Sequence, residues 1–204
     1  MKNKFASFLA ATVLALGATA ASASTITYDV RNITNGVFGD YQAGWNAQSS
    51  IITSNNLSNF NGAVGSNNGY DHLSVNFNVG NVAVGSNLLF QFAPDAGYGA
   101  SIYVDGALID TKAYDVWWNF SWADSNQQLA GLFNNVSYGA HTIDLYWAEG
   151  CCNGGQGARF SVNGGNWQDV SVANLDALGV PEPGSLALLG LAISGLALSR
   201  RKQA

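Results

Sequence analysis

The stretch DHLSVNFNV, residues 71–79, indicates the fold class of this chain. Apolar residues occupy every second position of it: Leu73, Val75, Phe77 and Val79. Because successive side chains of a β-strand point to opposite faces, this alternation predicts a strand with one buried face and one solvated face. Such strands are typical of antiparallel sheets, in which one face packs on the core.

Comparable patterns recur further along the chain. In HTIDLYWAE, residues 141–149, alternation places Ile143, Leu145 and Trp147 on one side. NLLFQFA, residues 87–93, is more continuously apolar and predicts a central strand. Several short strands at this spacing predict an all-β fold, namely an antiparallel β-sandwich or a jelly-roll-like single domain.

Turn residues separate the predicted strands. Asp105-Gly106 lies between two apolar runs and predicts a type I′ hairpin, which needs positive φ at both central residues. RFSVNGGNWQDVSV, residues 159–172, predicts a final strand pair about an Asn-Gly-Gly turn. SNQQLAGLFNNV, residues 125–136, carries apolar residues at helical spacing and predicts one short helical insertion.

The beginning of the chain has the three parts of a secretory leader. Two lysines precede an apolar stretch at residues 5–20, and small residues follow, with Ala21 and Ala23 as the cleavage signature. We therefore expect a signal peptide, helical before its removal, over residues 1–23. The expected partners are the Sec translocon and signal peptidase.

The acidic balance of the remaining body limits its partners. Residues 24–180 contain three basic and twelve acidic residues, a formal net charge of −9. Because binding to phosphates needs clustered Lys and Arg, this balance argues against a nucleic-acid partner. The length is that of one domain, which we place at residues 24–178.

A second apolar segment lies near the C-terminus. Residues 184–199 contain only apolar or small side chains, and Arg200 and Arg201 follow at once. Sixteen residues of helix span about 24 Å, close to the thickness of a hydrocarbon core. The segment predicts a transmembrane helix with its basic end in the cytoplasm and the body of the chain on the far side.

The whole C-terminal segment, residues 179–204, resembles a known sorting signal. The triplet Pro181, Glu182 and Pro183, the apolar run and the basic end have the order and spacing of the PEP-CTERM signal of Gram-negative bacteria. The resemblance implies processing near the triplet by an exosortase, with the apolar run as a transient membrane anchor. It also implies a cell-surface or extracellular-matrix location, associated with exopolysaccharide and biofilm.

The two cysteines of the chain are adjacent, at Cys151 and Cys152. In an oxidising compartment they are expected to be oxidised, either with each other as a vicinal disulfide or, as the second alternative, between two molecules. Two thiolates with no nearby histidine do not make a structural zinc site, so no metal site is predicted. Residues 151–154 fit the CCxG signature of one group of PEP-CTERM proteins, which the chain resembles in its C-terminal part.

Three further stretches resemble β-sandwich domains of the protective-antigen and fibro-slime type, some of which are carbohydrate-binding adhesins. They are YVDGALID at 103–110, LYWAEGCC at 145–152 and RFSV at 159–162. Calcium-binding adhesins of that type carry two consecutive aspartates, and no Asp-Asp pair occurs here. Calcium-dependent sugar capture is therefore not implied by the resemblance.

The residues favour binding over catalysis. His72 and His141 accompany no nucleophile motif and are expected to lie at strand edges or in solvent. Neither a GxGxxG sequence nor a P-loop is present, and no cofactor is predicted. We expect the protein not to be an enzyme.

Aromatic side chains supply the candidate binding residues. DVWWNFSW, residues 115–122, is a dense aromatic cluster, and Trp147 precedes the cysteines. Most large aromatics fill cores, but an exposed Trp117 or Trp147 would give a platform for a sugar ring. Three acidic residues would orient hydroxyls or hold calcium if they gather at one end of the sandwich: Asp105, Asp110 and Glu149.

Two functional hypotheses follow. In the first, the protein is an exported carbohydrate-binding module attached to exopolysaccharide. In the second, it is a non-binding structural matrix protein that is cross-linked through its cysteines. An exposed aromatic groove would favour the first, and a polar surface with every Trp buried would favour the second.

Overall fold

The computed structural model describes residues 23–65, 67–152 and 154–179. The predicted signal peptide before Ala23, the PEP triplet, the run at 184–199 and the basic end lie outside the described residues. Within the described ranges, no helix has the length and apolar character needed to cross a membrane.

The described residues form mostly strands. The strands are β1 (Thr25–Asn32), β2 (Ile51–Asn56), β3 (Gly69–Val79), β4 (Leu88–Ala93), β5 (Asp95–Ala96), β6 (Ala100–Val104), β7 (Ala107–Lys112), β8 (Val116–Trp117), β9 (Leu129–Phe133), β10 (Gly139–Glu149), β11 (Gly157–Val162) and β12 (Gln168–Asp169). The helices are α1 (Tyr41–Ala47), α2 (Val172–Asp176) and a 3₁₀ turn (Ser125–Gln127).

The strands form two main sheets, and the predicted antiparallel β-sandwich is confirmed. One sheet has the order β2-β1-β3-β10-β6-β7 and the other β12-β11-β4-β9, so β4 is central, as its apolar sequence predicted. A small pair, β5-β8, stands apart. Every strand pairing is antiparallel.

The alternating residues form the core between the sheets. The apolar positions of β3 and β10 are buried, as expected: Leu73, Val75, Phe77, Val79, Ile143, Leu145 and Trp147. They pack in one cluster with the aromatic residues of the second sheet, Phe90, Phe92 and Phe160. Full burial of each such side chain contributes roughly 1.5–3 kcal/mol, and this burial stabilises the sandwich.

Both predicted tight turns have the expected backbone. Asp105 and Gly106 have φ of 48° and 79°, as a type I′ turn requires. Asn163 and Gly164 have φ of 51° and 71° at the turn after β11.

The predicted helical insertion at residues 125–136 is wrong. Only a 3₁₀ turn forms there, and β9 follows it with Leu129, Gly131 and Phe133 facing inward. A Cβ at Gly131 would lie 3.1 Å from Ile102 Cδ1, so the strand packs tightly on the opposite sheet. The residues form a strand because β9 pairs with β4 and packs on the opposite sheet. These interactions outweigh the weak helical preference of the sequence.

Candidate functional site

A cleft of about 590 Å³ opens where β5, β8 and the end of β10 meet. We call it the disulfide cleft. Its lining residues are Asp95, Gly97, Tyr98, Asp115, Trp117, Glu149, Gly150, Cys151 and Cys152.

Glu149 fixes the base of the cleft. It is the last residue of β10 and only 4% exposed. One carboxylate oxygen accepts a hydrogen bond from the Gly97 backbone N–H at 2.6 Å, and the other accepts from the Cys151 N–H at 2.7 Å. Because both oxygens are occupied, Glu149 positions the cysteine loop against β5.

Cys151 and Cys152 form a vicinal disulfide, as predicted, and both residues are exposed. Cys152 has φ of 71°, a left-handed conformation that is uncommon outside glycine. After the two cysteines in the chain, the Gly154 N–H donates a hydrogen bond to Asp95 Oδ2. Carboxylates therefore hold both ends of the loop, and the disulfide forms a rigid exposed surface in the cleft.

One wall of the cleft is Trp117. Its indole is half-buried and packs on the backbone of Gly154, where a Cβ would overlap the ring. Phe120 is 65% exposed and meets Trp117 edge to face, with ring centroids 5.4 Å apart. Phe120 and its predecessor Asn119 both have positive φ, so the backbone turns sharply to present this ring.

The opposite wall is Tyr98. Its ring is 44% exposed and stacks on Phe38 at 4.5 Å between centroids. A Cβ at Gly150 would lie 2.9 Å from the Tyr98 hydroxyl, so the loop backbone lies close to this wall as well. The cleft thus has two partly exposed aromatic walls and a disulfide between them.

The base of the cleft is acidic. Burial raises the pKa of Asp95 to about 6, the Gly154 N–H opposes that shift, and the charges of Glu149 and Asp115 add to it.

Burial also raises the pKa of Asp71, to about 7. Asp71 lies at the start of β3 and is not exposed. Its Oδ1 accepts a hydrogen bond from the Tyr28 hydroxyl at 2.5 Å, and its Oδ2 is buried without a partner.

Two of the predicted binding residues, Trp117 and Glu149, lie in the disulfide cleft beside the cysteines. Their role toward a ligand stays a prediction. The placement of Trp147 as an exposed platform is wrong, because the side chain is fully buried and stacks on Tyr28 at 5.6 Å. Trp147 lies on the inward face of β10, and its burial completes the core.

Asp105, Asp110 and Glu149 do not meet the condition set for a shared site, because they do not gather at one end of the sandwich. Asp105 is in the β6–β7 turn, where it accepts a hydrogen bond from the Thr142 N–H at 2.8 Å. Thr142 and Glu149 are seven residues apart on β10, about 23 Å at 3.3 Å per residue. Asp110 accepts a hydrogen bond from the Ala130 N–H at 3.2 Å, beside β9. These three side chains therefore do not form a calcium site together.

The expectation that His72 and His141 lie at strand edges or in solvent is wrong, because they lie within β3 and β10 and neither side chain is exposed. His141 is only 7% exposed, and its Nδ1 lies 2.9 Å from Asp105 Oδ2. His72 lies 2.9 Å from Asp144 and stacks on Tyr146. Across the described residues, no group of three or more His, Cys, Asp or Glu side chains is arranged to hold a metal ion.

Sequence reasoning missed Asp95, Tyr98 and Asp115. Asp95 pairs with Trp117 in β5-β8, a ladder of two residues per strand. A two-residue strand is too short to show a period. The sequence carried one sign of them, the acidic residue Asp115 at the start of the aromatic cluster.

Comparisons with known proteins support the sorting signal and the fold. Residues 179–202 match the PEP-CTERM protein-sorting motif, which marks the chain as an exported exosortase substrate of the Gram-negative cell surface or extracellular space. No curated protein matches the sequence.

Two PA14 domains are among the solved structures that share the fold of this chain. The PA14 sugar-binding domain from an RTX adhesin is 11% identical with a TM-score of 0.51, and the match covers 74% of this chain and 97% of that one. The PA14 domain of the antifreeze protein MpAFP is 13% identical with a TM-score of 0.50, and the match covers 78% of this chain and 94% of that one. The likeness to protective-antigen-type domains is therefore confirmed at the level of fold.

Proposed function

We propose that this exported protein binds carbohydrate in the disulfide cleft. The observation that carries the proposal is the pair of partly exposed aromatic walls, Trp117 and Tyr98, on either side of a rigid disulfide. Sugar rings place their C–H faces on aromatic side chains and their hydroxyls on polar groups. The shape and chemistry of the cleft fit such a ligand.

Each lining residue has a distinct part in this proposal. Trp117 and Tyr98 stack on the sugar. The exposed carboxylate of Asp115 accepts hydrogen bonds from sugar hydroxyls. Glu149 and the Cys151–Cys152 disulfide fix the loop, which reduces the ordering that binding would require.

We propose a location and a role that follow from the sorting motif. An exosortase substrate with a sugar-binding cleft is suited to attachment within the exopolysaccharide of a biofilm. The alternative, a matrix protein cross-linked through cysteines, is less favoured because Cys151 and Cys152 are bonded to each other. We also propose that the protein is not an enzyme, and the backbone N–H groups that bind both oxygens of Glu149 support a structural role for this carboxylate.

The test is binding of the full-length protein to an array of neutral and acidic glycans, followed by titration calorimetry on the best ligands. We expect Trp117→Ala to weaken binding by about tenfold or more, which is about 1.4 kcal/mol. Tyr138→Ala is the matched control, because Tyr138 is an exposed aromatic that does not line the cleft. If the wild type binds no glycan, the structural matrix protein becomes the better hypothesis.

A further inference from the structure

The aromatic wall of the disulfide cleft continues beyond the cleft. Trp117 contacts Phe120 at 5.4 Å, and Phe120 contacts Trp118 at 5.4 Å. Trp118 in turn contacts Trp122 at 4.9 Å. Trp118 is almost buried and supports the others, while Phe120 is largely exposed and Trp122 is half-exposed.

The row ends in a cation between two indoles. The guanidinium of Arg159 lies 4.2 Å from the ring centre of Trp122 and 4.1 Å from that of Trp167, which is 39% exposed. The Arg159 Nε donates to Gln91 Oε1 at 2.8 Å. We call the row from Trp117 to Trp167, with Arg159, the aromatic track.

The charge of Arg159 is not neutralised by the protein. The ion pairs found among the described residues both join a histidine to an aspartate, and neither involves Arg159. Asp169 is the cross-strand neighbour of Arg159, but the two side chains make no ion pair. Two tryptophan rings lie within 4.2 Å of the guanidinium carbon, and within the described structure the hydrogen bond of this group is made by Nε, with no acceptor on its Nη groups.

This free edge has the chemistry of a carboxylate site. A guanidinium binds a carboxylate in its plane through two parallel N–H donors, and stacking on both faces holds it in place for that contact. Residues 24–180 carry a net charge of −9 and only two other basic residues, Arg31 and Lys112. Arg31 differs from Arg159 in that one of its Nη groups already donates a hydrogen bond, to the Trp45 carbonyl.

We propose that the aromatic track extends the disulfide cleft and binds the interior of an acidic polysaccharide, with a uronate carboxylate on Arg159. This inference rests on the proposed sugar binding in the cleft. The track runs through three ring-to-ring steps of 4.9–5.4 Å and ends at Arg159, whose guanidinium carbon lies 4.1–4.2 Å from two indole centres, so we expect it to accommodate more than one sugar. The opposite end carries Asp95 and Asp115, which would repel a second carboxylate. The matching polymer therefore has uronate units separated by neutral sugars.

The experiment uses the full-length protein with hyaluronan, chondroitin and gellan, in which neutral sugars separate the uronates. Each polymer is compared with its form in which the carboxyls are reduced to alcohols, and with oligosaccharides of increasing length. We expect the acidic forms to bind at least about tenfold more tightly than the reduced forms, as for a charge-assisted contact. Affinity should increase with length beyond two sugars.

Three variants separate this inference from the proposed function. Arg159→Gln should remove the preference for the acidic form, while the binding of neutral glycans should still depend on Trp117. Asp169→Asn should strengthen binding of the acidic form, since it removes a competing charge. In Trp167→Ala, affinity should stop increasing at a shorter oligosaccharide length than in the wild type. Thermal unfolding would show that the variant is folded.

Several results would overturn the inference. One is unchanged binding of the acidic polymers by Arg159→Gln. Another is binding of poly-L-glutamate, which has carboxylates without sugar rings, as tightly as the acidic polysaccharides. Failure of all three acidic polymers would also overturn it. In each case, neutral-glycan binding that depends on Trp117 would leave the proposed function intact.

Discussion

The backbone of Gly154 lies against the indole of Trp117 so closely that a Cβ at position 154 would overlap the ring. The same Cβ would lie 2.8 Å from Asp95 Oδ2. One glycine therefore allows the aromatic wall, the acidic base and the disulfide loop to meet.

Gly154→Ala should displace Trp117 and impair glycan binding. Because overpacking a well-packed site costs about 1–3 kcal/mol, we expect a similar loss in the free energy of unfolding. Thermal and chemical unfolding measure the stability, and calorimetry measures the binding. Gly36→Ala is the control, since its Cβ would come no closer than 3.4 Å to Phe38. Normal binding by Gly154→Ala would show that the wall tolerates displacement.

The buried carboxyl of Asp71 should make the protein more stable in mild acid. Its folded pKa of about 7 lies above its ordinary value of 3.8, so the folded state binds the proton more tightly than the unfolded state. The stabilisation is fully present below pH 3.8 and is lost as pH rises through about 7. Asp95, with a pKa raised to about 6, acts in the same direction.

The measurement is urea unfolding between pH 5 and pH 8. Asp71→Asn keeps an oxygen for the Tyr28 hydroxyl and removes the titration, so the free energy of unfolding of the variant should depend less on pH. A tenfold difference in proton affinity between the folded and unfolded states corresponds to about 1.4 kcal/mol. An identical pH dependence in wild type and variant would contradict the role of Asp71.

Reduction of the Cys151–Cys152 disulfide should affect binding far more than stability. The bond closes a very short loop, and by the chain-entropy model its removal costs only about 1 kcal/mol. The loop lines the cleft, so glycan affinity should fall although the sandwich stays folded. Circular dichroism and calorimetry with and without a dithiol reductant would measure the two effects. A cross-linked dimer that becomes monomeric on reduction would instead support the matrix hypothesis.

Truncation of Trp147 should mainly reduce stability, whereas truncation of Trp117 should mainly reduce glycan affinity. Trp147→Ala empties a fully buried site and should cost about 3–5 kcal/mol of stability. Trp117→Ala should cost less stability and more affinity. Unfolding and calorimetry on both variants measure the difference. If a stable Trp147→Ala protein lost glycan binding, Trp147 would have to be a binding residue after all.

Processing at the PEP triplet predicts the mass of the mature protein. We expect the native surface protein to lack residues 184–204, and Glu182→Ala to retain them. Intact-mass spectrometry of both proteins is the check. A wild-type mass that includes the basic end would argue for a permanent anchor.

Strand periodicity predicted the sandwich because its long strands alternate strictly. It could not place the carboxylates, because their positions depend on the direction and register of the strands. Asp105 follows β6 and Glu149 ends β10, and the antiparallel pairing of these two strands sends the two residues to opposite ends. The β5-β8 pair was missed since its few residues carry no period. For Trp147, alternation identified the buried face correctly, whereas its position just before the cysteines suggested a ligand role.

The stacked arginines have a consequence for the lifetime of the domain outside the cell. Proteases that cut after basic residues find only Arg31, Lys112 and Arg159 in residues 24–180. Arg31 lies over Trp45 within β1, and Arg159 lies between two tryptophans within β11. Such proteases need an extended, accessible segment, and paired strands do not provide one. Trypsin-like enzymes in the surrounding medium would therefore cut this domain slowly at Arg31 and Arg159 while it remains folded, and Lys112, at the end of the edge strand β7, is the more accessible site.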